Sequence, residues 1–341
     1  MSVVIPTHDG RDLLDIVLRS LALQTRPPDE TIVIDDASSD GTAAHLAEHW
    51  PAVEVVALRE NVGVTAALNR CFSAARGELV LLLNNDVELD PECVAELLAV
   101  MDGAPGAAVV GAKLRDYTDR SLLDGAGDGF SWPGFAYRRG QGEPDHGQYD
   151  ERTEVFGACA AAALYRASAL AEVGPLDEQF FVYGEDTDWS FRAQLAGFTC
   201  RFAPRAVVYH VGSASLGPRV SEFALYHNWR NQLWIVAKNY PASALIIHAP
   251  DLLLGALASL LVALRHRCLR VLFRAWRDAL AGLPAVMRKR RVIQGARRHG
   301  RRELEPVIDG ALDRARWWLA GPGRRHSAMG DRKAQERAAA R

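Results

Sequence analysis

The chain has 341 residues, 49% hydrophobic and 24% charged, which excludes a disordered or collagen-like polypeptide and leaves room for one large domain with extensions. The net charge of −2 conceals a split: 21 of the 40 Lys and Arg but only 7 of the 42 acids fall in 265–341, so that end carries +14 and residues 1–264 carry −16. The five cysteines lie far apart with no C-x-x-C spacing, which argues against a zinc site or a disulfide framework and fits a reducing compartment.

Residues 3–5 read as a strand, with no basic segment and apolar stretch of a secretory signal before it, so the expected location is cytoplasmic. Leu13, Leu14, Val17, Leu18 and Leu21 then recur at helical spacing. Residues 31–34 form a second predicted strand, closed by Asp35-Asp36 and the turn Ser38-Ser39-Asp40-Gly41. A strand at 53–58, a helix at 65–76, a strand at 79–83, a helix near 92–101 and a strand at 107–111 follow. Alternation of this kind predicts an α/β fold built on a mostly parallel sheet. Ligands of such sheets bind beyond the carboxyl ends of the strands. Thr7-His8-Asp9, Asp35-Asp36 and Asn84-Asn85-Asp86 all fall there, while Glu88 and Asp90 read as the turn into the next helix.

Residues 115–152 are rich in Gly, Asp and aromatics with weak periodicity, and predict a long loop. Small residues fill 154–165, a helix is expected at 167–173, and 174–204 reads as a turn, an aromatic stretch, an acidic helix start and a strand. A strand at 206–209 leads into His210, and a helix within 221–240 carries Tyr226, Trp229, Arg230, Asn231 and Trp234. The stretch 245–264 is apolar but interrupted by His248, Pro250 and Asp251, and its clean part falls short of the roughly 20 residues a spanning helix needs. Arg265, Arg267, Arg270, Arg274 and Arg277 then interleave with Leu269, Val271, Leu272, Phe273 and Trp276, the pattern of a helix lying in a membrane interface. The partner expected for 245–302 is therefore an anionic membrane surface rather than nucleic acid, and 321–341 reads as a disordered tail.

Taken singly, each polar cluster has a plain structural reading. Asp35-Asp36 would cap a turn, Asn84–Asp86 would be a turn, and Glu185-Asp186-Thr187-Asp188 would suit a helix N-terminus. Taken together on one rim, they ask for a cation. Acids there would repel a phosphorylated ligand unless Mg²⁺ or Mn²⁺ lay between, bound by one or two carboxylates and the ligand's phosphates. Asp86 is placed to be that carboxylate, and His210 could add an imidazole, which suits manganese.

The chain resembles the family 2 glycosyltransferases of GT-A fold. The resemblance is carried in order by VVIPTHD (3–9), IVIDDASSDGT (32–42), ENVGVTAALN (60–69), LLLNNDVELDP (81–91), FGACAAAALYR (156–166), FFVYGEDTDWSFRAQLAGF (180–198), VVYHVGSAS (207–215) and YHNWRNQLWIVAKNYP (226–241). Within the family it is most similar to the rhamnosyl- and galactofuranosyltransferase-like branch. The resemblance implies a Rossmann-like, mostly parallel sheet flanked by helices over 1–241, with a nucleotide-binding half (1–112) and an acceptor half (113–241). A helical, membrane-associating region (242–320) and the tail would follow. It implies an inverting, metal-dependent transfer from a dTDP- or UDP-sugar, rhamnose being the first guess, to a polyprenyl-linked or cell-wall glycan at the inner face of the membrane.

Position by position, the resemblance gives Thr7, Asp9 and Asp36 to the nucleotide and Asn61 and Gly63 to the nucleotide and its sugar. Asn84, Asn85 and Asp86 stand at the D-x-D position, with Asp86 and His210 as metal ligands. Asp186 would be the general base and Glu185 a binder of the acceptor hydroxyl, the reverse being the alternative, and Arg230 and Asn231 would serve the diphosphate. Two departures stand out. Asn84 replaces the first acid of D-x-D, and Asp313-Arg314-Ala315-Arg316-Trp317 lacks the Gln of the processive synthases' Q-x-x-R-W, which points to single addition. The alternatives are a nucleotidyltransferase, for which IPTHDGRDLL lacks a convincing Gly-rich basic loop, and an inactive sugar-nucleotide-binding protein, which the intact Asp86, Asp186 and His210 disfavour.

Overall fold

The computed structural model describes residues 1–212 and 221–310. The 213–215 end of the VVYHVGSAS motif, the 313–317 segment and the 321–341 tail lie outside the described residues. The first half repeats a strand–helix unit: β1 (Ser2–Thr7), α1 (Arg11–Ala22), β2 (Glu30–Asp35), α2 (Thr42–His49), β3 (Glu54–Ala57), α3 (Val64–Ala74) and β4 (Leu79–Leu83). Val3, Val4, Ile5 and Leu81 to Leu83 are fully buried because helices cover both faces of a parallel sheet. α1 turns Leu14, Val17, Leu18 and Leu21 inward. β1 pairs in parallel with β2 and β4, and β2 with β3, giving the order β3-β2-β1-β4.

The second half continues with β5 (Val87–Leu89), α4 (Cys93–Asp102), β6 (Ala107–Asp116), β7 (Leu123–Ala126), β8 (Asp128–Ser131), β9 (Ala136–Arg138) and β10 (Glu154–Val155). β11 (Ala162–Arg166), α5 (Ala167–Val173), a 3₁₀ turn (Glu178–Phe180), α6 (Glu185–Leu195) and β12 (Thr199–His210) complete the sheet region. α7 (Glu222–Asn239), α8 (Ala242–Ile247), α9 (Ala249–Arg265), α10 (Leu269–Ala296), α11 (Arg301–Leu304) and β13 (Ile308–Asp309) follow. The sheet is parallel through its first four strands and mixed beyond them. β11 lies antiparallel between β4 and β6, while β6 and β12 run parallel.

Two expectations are corrected. The loop expected at 115–152 is partly sheet: β7 extends β6, and β8 pairs with β9 and β13 in a small second sheet anchored by the buried Phe130 and Trp132. β7, β8 and β9 are three or four residues long, with glycine at 125 and 129 within them and at 127 between two of them, too little for a period-2 pattern to show. Likewise Glu88 sits within β5, paired to Arg120 at 2.8 Å, and only Asp90 serves the turn, accepting from the Glu92 amide.

The C-terminal helices also depart from expectation. Val271, Leu272 and Ala275 of α10 pack with Trp229 of α7, and Trp234 donates to the Ala279 carbonyl at 2.9 Å. So Val271 and Leu272, among the residues interleaved with the arginines, face the body of the protein, while Phe273 stays exposed and α8 and α9 present further open apolar surface. Among the described residues no helix is long and apolar enough to cross a membrane.

Candidate active site

The rim beyond β1, β2 and β4 gathers the residues expected at the nucleotide. Asn85 donates to Thr7 Oγ1 at 2.9 Å, and both side chains are buried. Gly10 lies so close to this pair that a Cβ there would collide with both side chains. Asp36 is buried, and its carboxylate accepts from the amides of Val62 (2.7 Å) and Gly63 (3.1 Å). Asn61 Oδ1 accepts from the same Gly63 amide at 3.0 Å. Gly63 itself has φ +83°, which glycine adopts without the strain a side chain brings, and it starts α3 against Phe181. Asp9 is exposed and accepts from the Ser39 amide at 2.6 Å, and that bond holds its carboxyl below the usual range. Asp36 and Asn61 thus shape the 61–63 loop with their side chains already engaged.

The residues expected to hold a metal come together through a strand pairing that sequence reasoning missed. β5 pairs antiparallel with the end of β12, His210 opposite Val87, which brings Asp86 beside His210. Asp86 Oδ1 lies 3.3 Å from His210 Nε2, out of line for a hydrogen bond, and is buried with no hydrogen-bond partner among the described residues. His210 Nδ1 is 2.7 Å from Asp124 Oδ2. Burial works against protonation of this imidazole, yet its bond to Asp124 and the negative charge of the nearby Asp86 raise its pKa above the ordinary value.

Glu185 and Asp186, the residues expected to serve proton transfer and the acceptor, stand at the start of α6. The chain enters it through a turn with φ +67° at Phe181, +64° at Tyr183 and +86° at Gly184. Asn231 secures that turn by donating to the carbonyls of Phe180, Val182 and Tyr183, and Arg230 donates to Phe180 O at 2.8 Å. The structure therefore commits Arg230 and Asn231 to the backbone that presents Glu185 and Asp186. Asp186 accepts from the Thr187 amide at 2.6 Å and the Ala160 amide at 3.3 Å. Glu185 is buried with Oε2 unpartnered, and burial first, then Asp186, pushes its carboxyl up to about 8. The third acid of the run holds the fold together instead, since Asp188 is fully buried and paired with Arg192 (2.9 Å) and Lys238 (2.8 Å).

The two sides adjoin. The Asn84 amide donates to Ala161 O at 2.9 Å while the neighbouring Ala160 amide reaches Asp186, so consecutive residues touch the Asp86-bearing segment and Asp186. Asp124, Asp128, Arg138 and Cys159 complete the constellation, and none was singled out from sequence. Arg138 donates to Asp124 Oδ2 at 2.6 Å. Polar atoms of Asp128, Cys159 and Asp186 all lie within 4.8 Å of one another. The available signal was the run LDGAGDGF at 123–130, where two acids sit among glycines.

The glycosyl transferase family 2 model matches residues 2–174. The N-acetylglucosaminyl-diphospho-decaprenol L-rhamnosyltransferase of Mycobacterium tuberculosis is 30% identical over 259 residues, covering 67% of this chain and 81% of that protein. Among solved structures, the Pyrobaculum calidifontis mannosyltransferase PcManGT in complex with GDP-Man and Mn²⁺ aligns with TM-score 0.52 and 18% identity, covering 86% of each chain. GalNAc-T7 with UDP, GalNAc and Mn²⁺ aligns with TM-score 0.57 and 17% identity over 71% of this chain, which spans only 48% of that protein. These structural likenesses bear on the fold.

Proposed function

Because this chain belongs to glycosyl transferase family 2, we propose that it is an inverting, metal-dependent transferase that moves a rhamnose-like sugar from a nucleoside diphosphate to a polyprenyl-linked glycan. The observation that carries this reading is the adjacency of Asp186 and the Asp86–His210 pair through Ala160 and Ala161. An in-line displacement needs a proton acceptor on one side of the sugar and a charge-neutralising group at the leaving diphosphate on the other.

The residues present fit a divalent cation. Asp86 Oδ1 is a buried carboxylate oxygen without a hydrogen bond, and Asp124 engages His210 Nδ1, the outer-shell arrangement that orients imidazole ligands. Asp86 and His210 would hold the ion, and Mg²⁺ or Mn²⁺ there would neutralise charge developing on the departing diphosphate. Asn84 leaves one carboxylate at this position, so the donor's phosphates would complete the shell. Asp186 takes the acceptor hydroxyl's proton as the oxygen attacks the anomeric carbon, the bond to the diphosphate breaks, and the electron pair leaves with the nucleotide. Glu185 binds the acceptor hydroxyl. Thr7, Asp9, Asn85 and the loop held by Asp36, with Asn61 and Gly63, line the nucleotide's side.

The polyprenyl acceptor is supported by the relative's name, and a membrane surface by the C-terminal helices. Leu253, Leu254, Leu257, Leu261 and Leu264 are each about half exposed or more and fall on an arc of about 100° of α9. Ile246 and Ile247 extend this apolar face, and exposed Arg265, Arg267 and Arg270 flank it without an ion pair among the described residues. Such a face fits peripheral attachment to the anionic inner leaflet.

Thermal stabilisation by nucleotide sugars with Mn²⁺ tests the donor reading, with dTDP-rhamnose first. A donor should raise Tm in the native protein and not in Asp86→Ala. Equal stabilisation of both proteins would remove Asp86 from the metal site.

A further inference from the structure

The cluster of Asp128, Cys159 and Asp186 has the ligand spacing of a cation site, yet its surroundings argue otherwise. Asp128 and Arg138 are direct partners across the β8–β9 pair. Burial works against the charge of Arg138, but Cys159, Asp124, Asp128 and Asp186 hold it firmly protonated. A fixed guanidinium thus already supplies the positive charge that a cation would bring, and a thiol is a poor ligand for Mg²⁺. Burial and the neighbouring Asp186 carboxylate work against the charge of Asp128.

We propose that Asp128 is a positioning residue for Asp186, the two carboxylates forming a pair that holds one proton between them under the charge of Arg138. This rests on the assignment of Asp186 as base. Asp128 Oδ1 has no hydrogen-bond partner among the described residues, as expected of a group whose counterpart is the site's own proton traffic. Burial first, and Asp186 second, push the Asp128 carboxyl up to about 7, with Arg138 opposing and Asp124 adding to the rise. Asp186 on α6, Arg138 on β9, Asp124 on β7 and Cys159 in the segment before β11 are the titratable or charged groups facing it. In the resting pair the proton sits on Asp128. When the acceptor oxygen bonds to the anomeric carbon, its proton passes to Asp186 and the nucleoside diphosphate leaves with the electrons of the broken bond. Asp186 then returns the proton to water as product departs.

The test is the pH dependence of kcat for the full chain and for Asp128→Asn, with dTDP-rhamnose and a polyprenyl-diphosphate N-acetylglucosamine acceptor. The native profile should bend near the value of about 7 to which Asp128 is pushed. Asp128→Asn should lose that bend, with kcat about tenfold lower and donor KM held. A bend that persists in Asp128→Asn overturns the pair. Should that variant not fold, Arg138→Gln gives the second reading: losing the positive charge should move the bend to higher pH, and an unmoved bend overturns the proposal. Failure of the base assignment looks different, since Asp186→Asn would then turn over normally whatever the profile of Asp128→Asn.

Discussion

The two sides of the site differ in how their polar atoms are engaged. On the nucleotide rim, Asp36, Asn61, Thr7 and Asn85 bond to one another or to nearby backbone. On the other side, Asp86, Asp128 and Glu185 each keep a buried carboxylate oxygen with no hydrogen bond among the described residues. A buried polar atom left unpaired costs about 1–3 kcal/mol, and in the proposed reading these three oxygens are met by ligand, ion or proton. On that proposed reading, the first side sets shape and the second does the chemistry.

The largest way to break that contrast is Asp186→Asn. Steady-state kinetics should show kcat lowered by about 10²–10⁴ with donor KM unchanged, because the amide keeps the shape but cannot take a proton. Two residues on, Asp188→Ala should do the opposite kind of damage. It leaves Lys238 and Arg192 buried with one carboxylate fewer, at a cost of about 3–5 kcal/mol by denaturant unfolding.

A smaller effect concerns acid. Burial would raise the Asp177 carboxyl, but Lys238 and Lys289 pull it from 3.8 to about 2. A depressed folded pKa means the stabilisation is complete above pH about 4 and is lost as pH falls through about 2, with about 2 kcal/mol at stake. Asp177→Asn should therefore lack this acid-dependent loss when unfolding is compared across that window. The smallest effect on the fold is Leu257→Asp on the open face of α9. It should leave stability within about 0.5 kcal/mol yet reduce co-sedimentation with anionic vesicles, and unchanged co-sedimentation would sink the membrane reading.

What was legible in the sequence follows the length and regularity of its elements. β1, β2 and β4 are continuous apolar runs ended by polar clusters, so both the strands and the rim at Thr7, Asp36 and Asp86 could be read. α5 was expected at the residues where it stands, Ala167–Val173. β5 was not legible: it has three residues and exists because it pairs with the end of β12, far along the chain. The same holds for Asp124, Asp128 and Arg138, whose neighbours are fixed by short glycine-bearing strands. Arg230 and Asn231 were recognisable as a polar pair on a helix, but their grip on the 180–183 backbone depends on where α7 packs. Val271 and Leu272 on α10 read as membrane-facing because sequence periodicity gives a face without saying what covers it.

Everything proposed for the site turns on a direct displacement, with a carboxylate base on one side of the sugar and the diphosphate leaving from the other. Proton NMR of the first-formed product, made from dTDP-rhamnose and a polyprenyl-diphosphate N-acetylglucosamine acceptor, tests it most directly. The expected product has an anomeric configuration opposite to the donor's, and a product that retained the donor's configuration would contradict direct displacement.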